Sequence, residues 1–280
     1  MILDECENPY YIRDKFYNEW ITCPCGKCPS CLKRKRSEWC LRLNMEARYK
    51  PYVFFTLTYR DDNLPVDGNG NPCFSVRHIQ LFLKRLRKKG YKLRYFIVSE
   101  YGSEFCRPHY HGLFFDQVCS ARLEEDIRSC WDHGFISISE GNPRRIGYCC
   151  KYLLFKSDVP QEWQRPIMLC SRNPALGSSY FDQQIIDYIN RRSVDFNLYF
   201  DGRMYAIPRT FRKKYIDTYS DYRYRAKNRI YSRERADKRH DLEQDFIGKL
   251  EKFDGLVHPI EQYHNYLNYK LTKSKNKNLL

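Results

Sequence analysis

Two histidines separated by one residue, in the segment RPHYHGLFF (107–115), are the sharpest chemical signal in the sequence. The segment reads as a β-strand. Side chains on a strand alternate between faces, so His109 and His111 point one way and Tyr110 the other. At a rise of about 3.3 Å per residue their Cα atoms lie about 6.6 Å apart, a spacing from which two imidazoles can converge on one cation. A third ligand is expected from a neighbouring strand, and Glu100, in the preceding SEY segment, is the carboxylate so placed. A His–His–Glu set leaves positions open for substrate oxygens and water, as catalysis by a metal requires. The plainer reading is two satisfied histidines beside an apolar strand.

The segment GYCCKY (147–152) carries the second signal. On a helix, residues four apart share a face, so Tyr148 and Tyr152 present two phenols side by side, with Lys151 three residues after the first. A phenolate is a competent oxygen nucleophile toward phosphorus, but its ordinary pKa near 10 calls for positive potential from Lys151 or a metal. With 24 Tyr in the chain, a pair of core tyrosines is the competing reading. Taken together, the two segments suit one reaction. A metal polarises a phosphodiester, a tyrosine attacks in line, and a free 3′-hydroxyl departs. The covalent link conserves the energy of the broken bond. The absence of a GxxxxGK[ST] phosphate loop fits that economy.

A third signal is the cluster CPCGKCPSC, in which Cys23, Cys25, Cys28 and Cys31 supply enough thiolates for one tetrahedral zinc. The C-x-C step is tight for a shared site, so Cys6 or Cys40 is a substitute for one member; free reduced thiols are the alternative. Lys33, Arg34, Lys35 and Arg36 follow and are candidates for phosphate contact, as are Arg107 and Lys156. A charge run is also what a solvated helix face looks like. Cys149 and Cys150 read as packing residues.

Composition agrees with a polyanionic partner. The 280 residues carry a formal net charge of +15 and 16% aromatic residues, and unpaired nucleic acid is held by such a mixture of stacking rings and cations. The 42% hydrophobic content excludes a wholly disordered chain. No apolar signal region opens the sequence and no stretch approaches membrane-spanning length, so the thirteen Cys are expected to be reduced and no membrane partner is expected.

The elements that must position these residues follow a regular alternation. VFFTLTY (53–59) reads as a strand, and SVRHIQLFLKRLRKKG as a helix capped by Ser75, with Ile79, Phe82, Leu83 and Leu86 on one stripe and Gly90 at its end. KLRYFIVSE and HYHGLFF are strands. SARLEEDIRSCWDHG is a helix from Ser120 to Gly134, FISIS a strand, and RRIGYCCKYLLFK a further helix. The order β-α-β-β-α-β predicts an α+β fold with a ferredoxin/RRM-like antiparallel sheet, both helices on one face. The last helix is then free to lie across the open face or its edge. Three regions are expected: a Cys-rich extension with a basic helix (1–48), in which Trp39, Leu43 and Ala47 recur every four residues; the catalytic domain (49–204); and a basic, Tyr/Arg-rich helical region ending in a polar tail (205–280).

These motifs also carry a resemblance. FFTLTY with its downstream NLP, SEYG, RPHYHG and YCCKYLLFK stand in the order found in rolling-circle replication initiators of the HUH superfamily, and the chain most resembles those of microviruses, the gokushovirus branch in particular. CGKCPSC followed by RSEWCLR, SRNPALGSSYF (171–181) and IPRTFRKKY (207–215) extend the likeness. It implies an HUH endonuclease fold, with His109, His111 and Glu100 holding Mg²⁺ or Mn²⁺. Tyr148 and Tyr152 correspond to the paired nucleophiles, and Lys151 to the lysine between them. It further implies a single-stranded DNA origin as substrate, a host polymerase and helicase as partners, and the host bacterial cytoplasm as location. Where the family often has a lysine three residues after the second tyrosine, this chain has Phe155, with Lys156 one step on. The competing readings are an HUH transposase or relaxase, a non-catalytic zinc and nucleic-acid-binding protein, and a phosphoesterase that uses HxH with water.

Overall fold

The computed structural model describes residues 6–13, 20–102, 105–153, 160, 162–180, 197–208 and 210–211. The described residues form two units, one lying before Arg36 and the other spanning Arg36–Phe211. From residue 212 onward, the helical region and tail expected from the sequence lie outside the described residues, as do Phe155 and Lys156.

The first unit contains a two-stranded antiparallel ribbon, β1 (Tyr10–Arg13) and β2 (Trp20–Cys23), with Tyr10 opposite Cys23. The helix α1 (Pro29–Ala47) begins in this unit, with proline at its first position, where a missing N–H costs nothing. From Arg36 on, α1 belongs to the second unit.

The second unit is an α+β fold around a five-stranded antiparallel sheet. Its strands are β3 (Tyr52–Tyr59), β4 (Arg94–Tyr101), β5 (Pro108–Phe115), β6 (Gly134–Glu140) and β7 (Met168–Cys170), in the spatial order β6-β3-β5-β4-β7. The helices are α2 (Val76–Lys88), α3 (Ala121–Cys130) and α4 (Pro143–Lys151). The expected β-α-β-β-α-β succession runs from β3 to β6. The edge strand β7 is an addition, too short at three residues to show alternation. A last hairpin, β8 (Asn197–Phe200) and β9 (Arg203–Ala206), turns at Asp201 and Gly202, both with positive φ.

Strand alternation divides the core into two layers. On one face Val53, Phe55, Leu57, Tyr59, Ile97, Tyr110 and Phe114 meet Ile79, Phe82, Leu83 and Leu86 of α2 and Leu123 and Ile127 of α3. On the other, Phe54, Phe96, Val98, Leu113 and Phe115 meet Trp39 and Leu43 of α1 and Ile146, Cys149 and Cys150 of α4. The four-residue repeat of Trp39 and Leu43 is thus a sheet-facing stripe, and Trp39 lies 4.9 Å from the Phe96 ring. The capping hydroxyls fall where expected: Ser75 accepts from the His78 amide and Ser120 from that of Leu123. Gly134, expected to end α3, instead opens β6. A Cβ there would sit 2.2 Å from the Thr58 carbonyl oxygen, so close strand pairing explains the glycine.

A strap fastens the far side of α1 within this unit. The 172–180 turn donates the Gly177 amide to Glu46 Oε2 at 2.7 Å, and its Leu176 carbonyl accepts from Arg42 Nε at 3.2 Å. Arg94 grips the nearly buried Glu46 carboxylate with both ends of its guanidinium, at 2.6 and 3.0 Å. Gly177 has φ +82°, and a Cβ there would lie 2.7 Å from the Arg42 carbonyl. The SRNPALGSS motif owes its glycine to that contact.

Candidate functional site

His109 and His111 occupy the central strand β5, on the face shared with Leu113 and Phe115, while Tyr110 is buried on the opposite face. Register fixes their neighbours. Thr58 and Glu100 flank His109, and Thr56 and Val98 flank His111. The two imidazoles are nearly parallel with centroids 6.4 Å apart.

Each ring is held by a further group. His109 Nδ1 donates to the Arg107 carbonyl at 2.6 Å, which leaves its Nε2 with a lone pair. Burial holds the His109 pKa below its ordinary value, which favours the neutral, ligating imidazole. His111 has Thr56 Oγ1 at 3.0 Å from Nδ1 and Glu100 Oε1 at 2.7 Å from Nε2. Gly102 makes room for the first ring, since a Cβ there would stand 3.0 Å from His109 Cε1. Gly112 makes room for a core ring, Phe55, which occupies the place its Cβ would need.

α4 brings the tyrosines to the same place. Asn142 caps it, accepting from the Arg145 amide at 3.1 Å, and Pro143 opens the first turn. The Tyr148 ring meets His111 edge-on at 5.1 Å, the Tyr152 ring stacks on His111 at 5.4 Å, and the two phenols are 5.1 Å from each other. The helix ends at Lys151, one residue sooner than the pair requires; Tyr152 is the capping residue, still in right-handed helical conformation. That is enough to keep it on the face of Tyr148. Burial raises the Tyr148 pKa. Burial raises that of Tyr152 far more, reinforced by hydrogen bonds to Tyr148 and the Glu100 carboxylate. Both phenols are protonated unless positive charge is brought to them.

The five expected residues Glu100, His109, His111, Tyr148 and Tyr152 therefore share one end of one sheet face, and Lys151 lies half-buried between the tyrosines in sequence. The donors of the His–His–Glu set are not drawn to closed-site spacing. Among the described residues, the group of three or more His, Cys, Asp or Glu donors lying within 4.8 Å of one another is Cys6, Cys25, Cys28 and Cys31. Glu100 is instead turned onto His111. The chemistry of the set still fits a hard divalent cation with open positions, being two neutral imidazoles and a carboxylate.

Other expected residues sit differently. Cys23 is not in the thiol group; it ends β2 in register with Tyr10, and Cys6 takes the fourth place. Cys40 lies in the second unit, where its thiol interacts with Cys150. Lys33 and Lys35 are exposed and Arg34 and Arg36 half-buried. Arg107 spends two donors within the chain, 2.8 Å from the Tyr59 carbonyl and 2.5 Å from Asp61 Oδ1. Thr56, Gly102 and Arg145, whose guanidinium lies 4.6 Å from the Phe54 ring centroid beside Tyr148, were not anticipated. Only strand register could have revealed Thr56.

Comparison with known proteins gives the same direction. Residues 52–157, which hold all six of the histidine, glutamate, tyrosine and lysine candidates, match the family model of the phage replication-associated protein ORF2. The chain is 32% identical over 170 residues to the replication-associated protein ORF2 of Spiroplasma virus 4, covering 53% of each chain. It is 25% identical over 217 residues to the replication-associated protein ORF4 of Chlamydia phage 1, covering 68% of this chain and 52% of that one. The chain thus spans about half the length of these two relatives. Identity to the replication-associated protein VP4 of Bdellovibrio phage phiMH2K is 26%, across 91% of this chain and 88% of the relative. No solved structure matches it significantly.

Proposed function

From the premise that this chain is a relative of the phage replication-associated proteins, we propose that it is an HUH-type endonuclease that initiates rolling-circle replication by nicking single-stranded DNA at an origin. The observation that carries the proposal is the packing of both Tyr148 and Tyr152 on the His111 ring, at 5.1 and 5.4 Å. A core tyrosine pair has no need of a histidine–carboxylate edge; a nucleophile pair does.

His109, His111 and Glu100 would hold Mg²⁺ or Mn²⁺, which supplies Lewis-acid polarisation of the scissile phosphate and favours ionised phenol nearby. The Arg107 carbonyl keeps the His109 proton on Nδ1, and Thr56 orients His111. One tyrosine loses its proton and its oxygen bonds to phosphorus, while the bond from phosphorus to the 3′-oxygen breaks and that oxygen takes up a proton. The product is a 5′-phosphotyrosine and a 3′-hydroxyl that primes a host polymerase. The reverse attack by a 3′-hydroxyl reseals the strand. Lys151 offers positive charge beside the phenols. The reaction belongs in the host bacterial cytoplasm, with a host helicase to open the duplex. No helix of the described residues is long and apolar enough to cross a membrane.

The test is incubation with Mn²⁺ or Mg²⁺ and single-stranded oligonucleotides tiling the replicon that encodes the chain, followed by mass spectrometry of the protein–DNA adduct. An adduct on Tyr148 or Tyr152 is expected, and the double substitution Tyr148→Phe, Tyr152→Phe abolishes it. Cleavage that survives this double change would overturn the proposal.

A further inference from the structure

We propose that Cys6, Cys25, Cys28 and Cys31 form a structural tetrathiolate zinc site, with Cys6, not Cys23, as the fourth ligand. The four sulfurs lie within 4.8 Å of one another. Within the group, Cys25 Sγ is 4.0 Å from Cys31 Sγ, and Cys6 Sγ is 3.9 Å from Cys28 Sγ. Zinc–sulfur bonds of about 2.3 Å in a tetrahedron put neighbouring sulfurs about 3.8 Å apart. A disulfide would need about 2.05 Å, so these are not half-formed bridges.

Backbone amides are already directed at the sulfurs. Cys25 N donates to Cys6 Sγ at 3.1 Å, and Lys27 N and Cys28 N donate to Cys25 Sγ at 3.4 and 3.3 Å. Such donors spread the negative charge of bound thiolates. The packing argues the same way. The buried cluster here consists of Cys6, Cys28 and Cys31 with Cys25 against it; among the described residues no Leu, Ile, Val or Phe joins them. Four thiols bury too little apolar area to order the chain around them, whereas a metal bond set does so directly. An all-sulfur set selects a soft or borderline cation such as Zn²⁺ over Mg²⁺ or Mn²⁺, so the two metals would not compete for one site.

The ligands come from three pieces of chain. Cys6 precedes β1, Cys25 follows β2, and Cys28 and Cys31 lie at the start of α1. Binding closes the intervening residues into a staple and releases four thiol protons as four zinc–sulfur bonds form. Cys23 is excluded because its backbone is committed to the ribbon opposite Tyr10. This inference does not depend on the nicking reaction.

The experiment uses the full chain purified with Zn²⁺. Elemental analysis is expected to give one zinc per chain, and X-ray absorption at the zinc edge four sulfur neighbours. Alkylation with N-ethylmaleimide, read by peptide mass spectrometry, is expected to spare Cys6, Cys25, Cys28 and Cys31 and to label Cys23; a chelator exposes the four. Labelling of Cys6 with protection of Cys23 in the zinc-loaded chain overturns the ligand assignment, and a folded chain with no zinc overturns the site. Cys23→Ser is expected to keep the full zinc content and Cys6→Ser to lose most of it. Should Cys6→Ser fail to fold, the protection pattern of the unaltered chain decides.

Discussion

Thr56 hydrogen-bonds His111 from the neighbouring strand, and such an outer partner sets both the orientation and the basicity of a ligating imidazole. Thr56→Val keeps the shape of the side chain and removes the hydroxyl. It is expected to raise the Mn²⁺ concentration needed for half-maximal nicking by about 10- to 100-fold, measured by a metal titration of oligonucleotide cleavage. An unchanged titration would show that the hydroxyl plays no part. Gly102→Ala would press a methyl group toward the His109 ring, 3.0 Å from Cε1, and is expected to lower nicking while the melting temperature stays within about a degree or two. The chemical residues were readable in the sequence because each motif carries its own period: two for the histidines on a strand, four for the tyrosines on a helix. Thr56 was not, because the motif FFTLTY contains nothing that says which residue will lie opposite His111. Cys6 escaped for a related reason. It stands well before Cys23 in the chain, and spacing along the sequence gives no information about a return across a ribbon.

At the level of elements, the β-α-β-β-α-β succession followed from apolar periodicity and capping residues, and Ser75 and Ser120 cap where their positions suggested. What escaped notice has physical causes. β7 is three residues long, below the length at which alternation can be seen. The second half of α1 packs on the sheet, but its apolar positions are diluted by KRKR and so resemble a surface helix. The strap at 172–180 depends on a buried ion pair that no local pattern announces. Glu46→Ala would leave Arg94 without its bidentate partner and Gly177 N without an acceptor. A loss of about 3–5 kcal/mol is expected for breaking such a pair, read from the denaturant midpoint. Gly177→Ala should also destabilise the fold, since its positive φ and the Arg42 carbonyl leave no room for a Cβ. Wild-type stability in either variant would remove the strap from the account.

For the molecule as a whole, acid is expected to weaken the fold near neutrality. His78 and His133 stack at 3.9 Å on the α2/α3 side of the sheet, and Tyr59 joins His78 at 3.0 Å. Burial lowers both pKa values, with each ring's charged form further disfavoured by nearby cations or by the other ring. Between the depressed folded values and the unfolded value of about 6.5, the unfolded chain holds more protons, so stability falls as pH drops below about 6.5. His78→Gln is expected to flatten the change in melting temperature between about pH 7.5 and 5.5, a window that brackets the unfolded value; an equally steep profile would point to other groups. The +15 charge predicts salt-sensitive binding of single strands, and Lys35→Ala should lessen the slope of log affinity against log salt by about 0.7 if Lys35 meets a phosphate. An unchanged slope would assign that lysine to the solvated face of α1.

Helices occupy both broad sides of the sheet, α2 and α3 on one and α1 and α4 on the other. There is consequently no bare platform on which successive bases could lie flat, as they can on a sheet left open. A strand reaching the histidines has to approach at the rim, where β4 and β5 run out beside the end of α4, and the length of nucleic acid that the 36–211 unit protects from digestion should be correspondingly short.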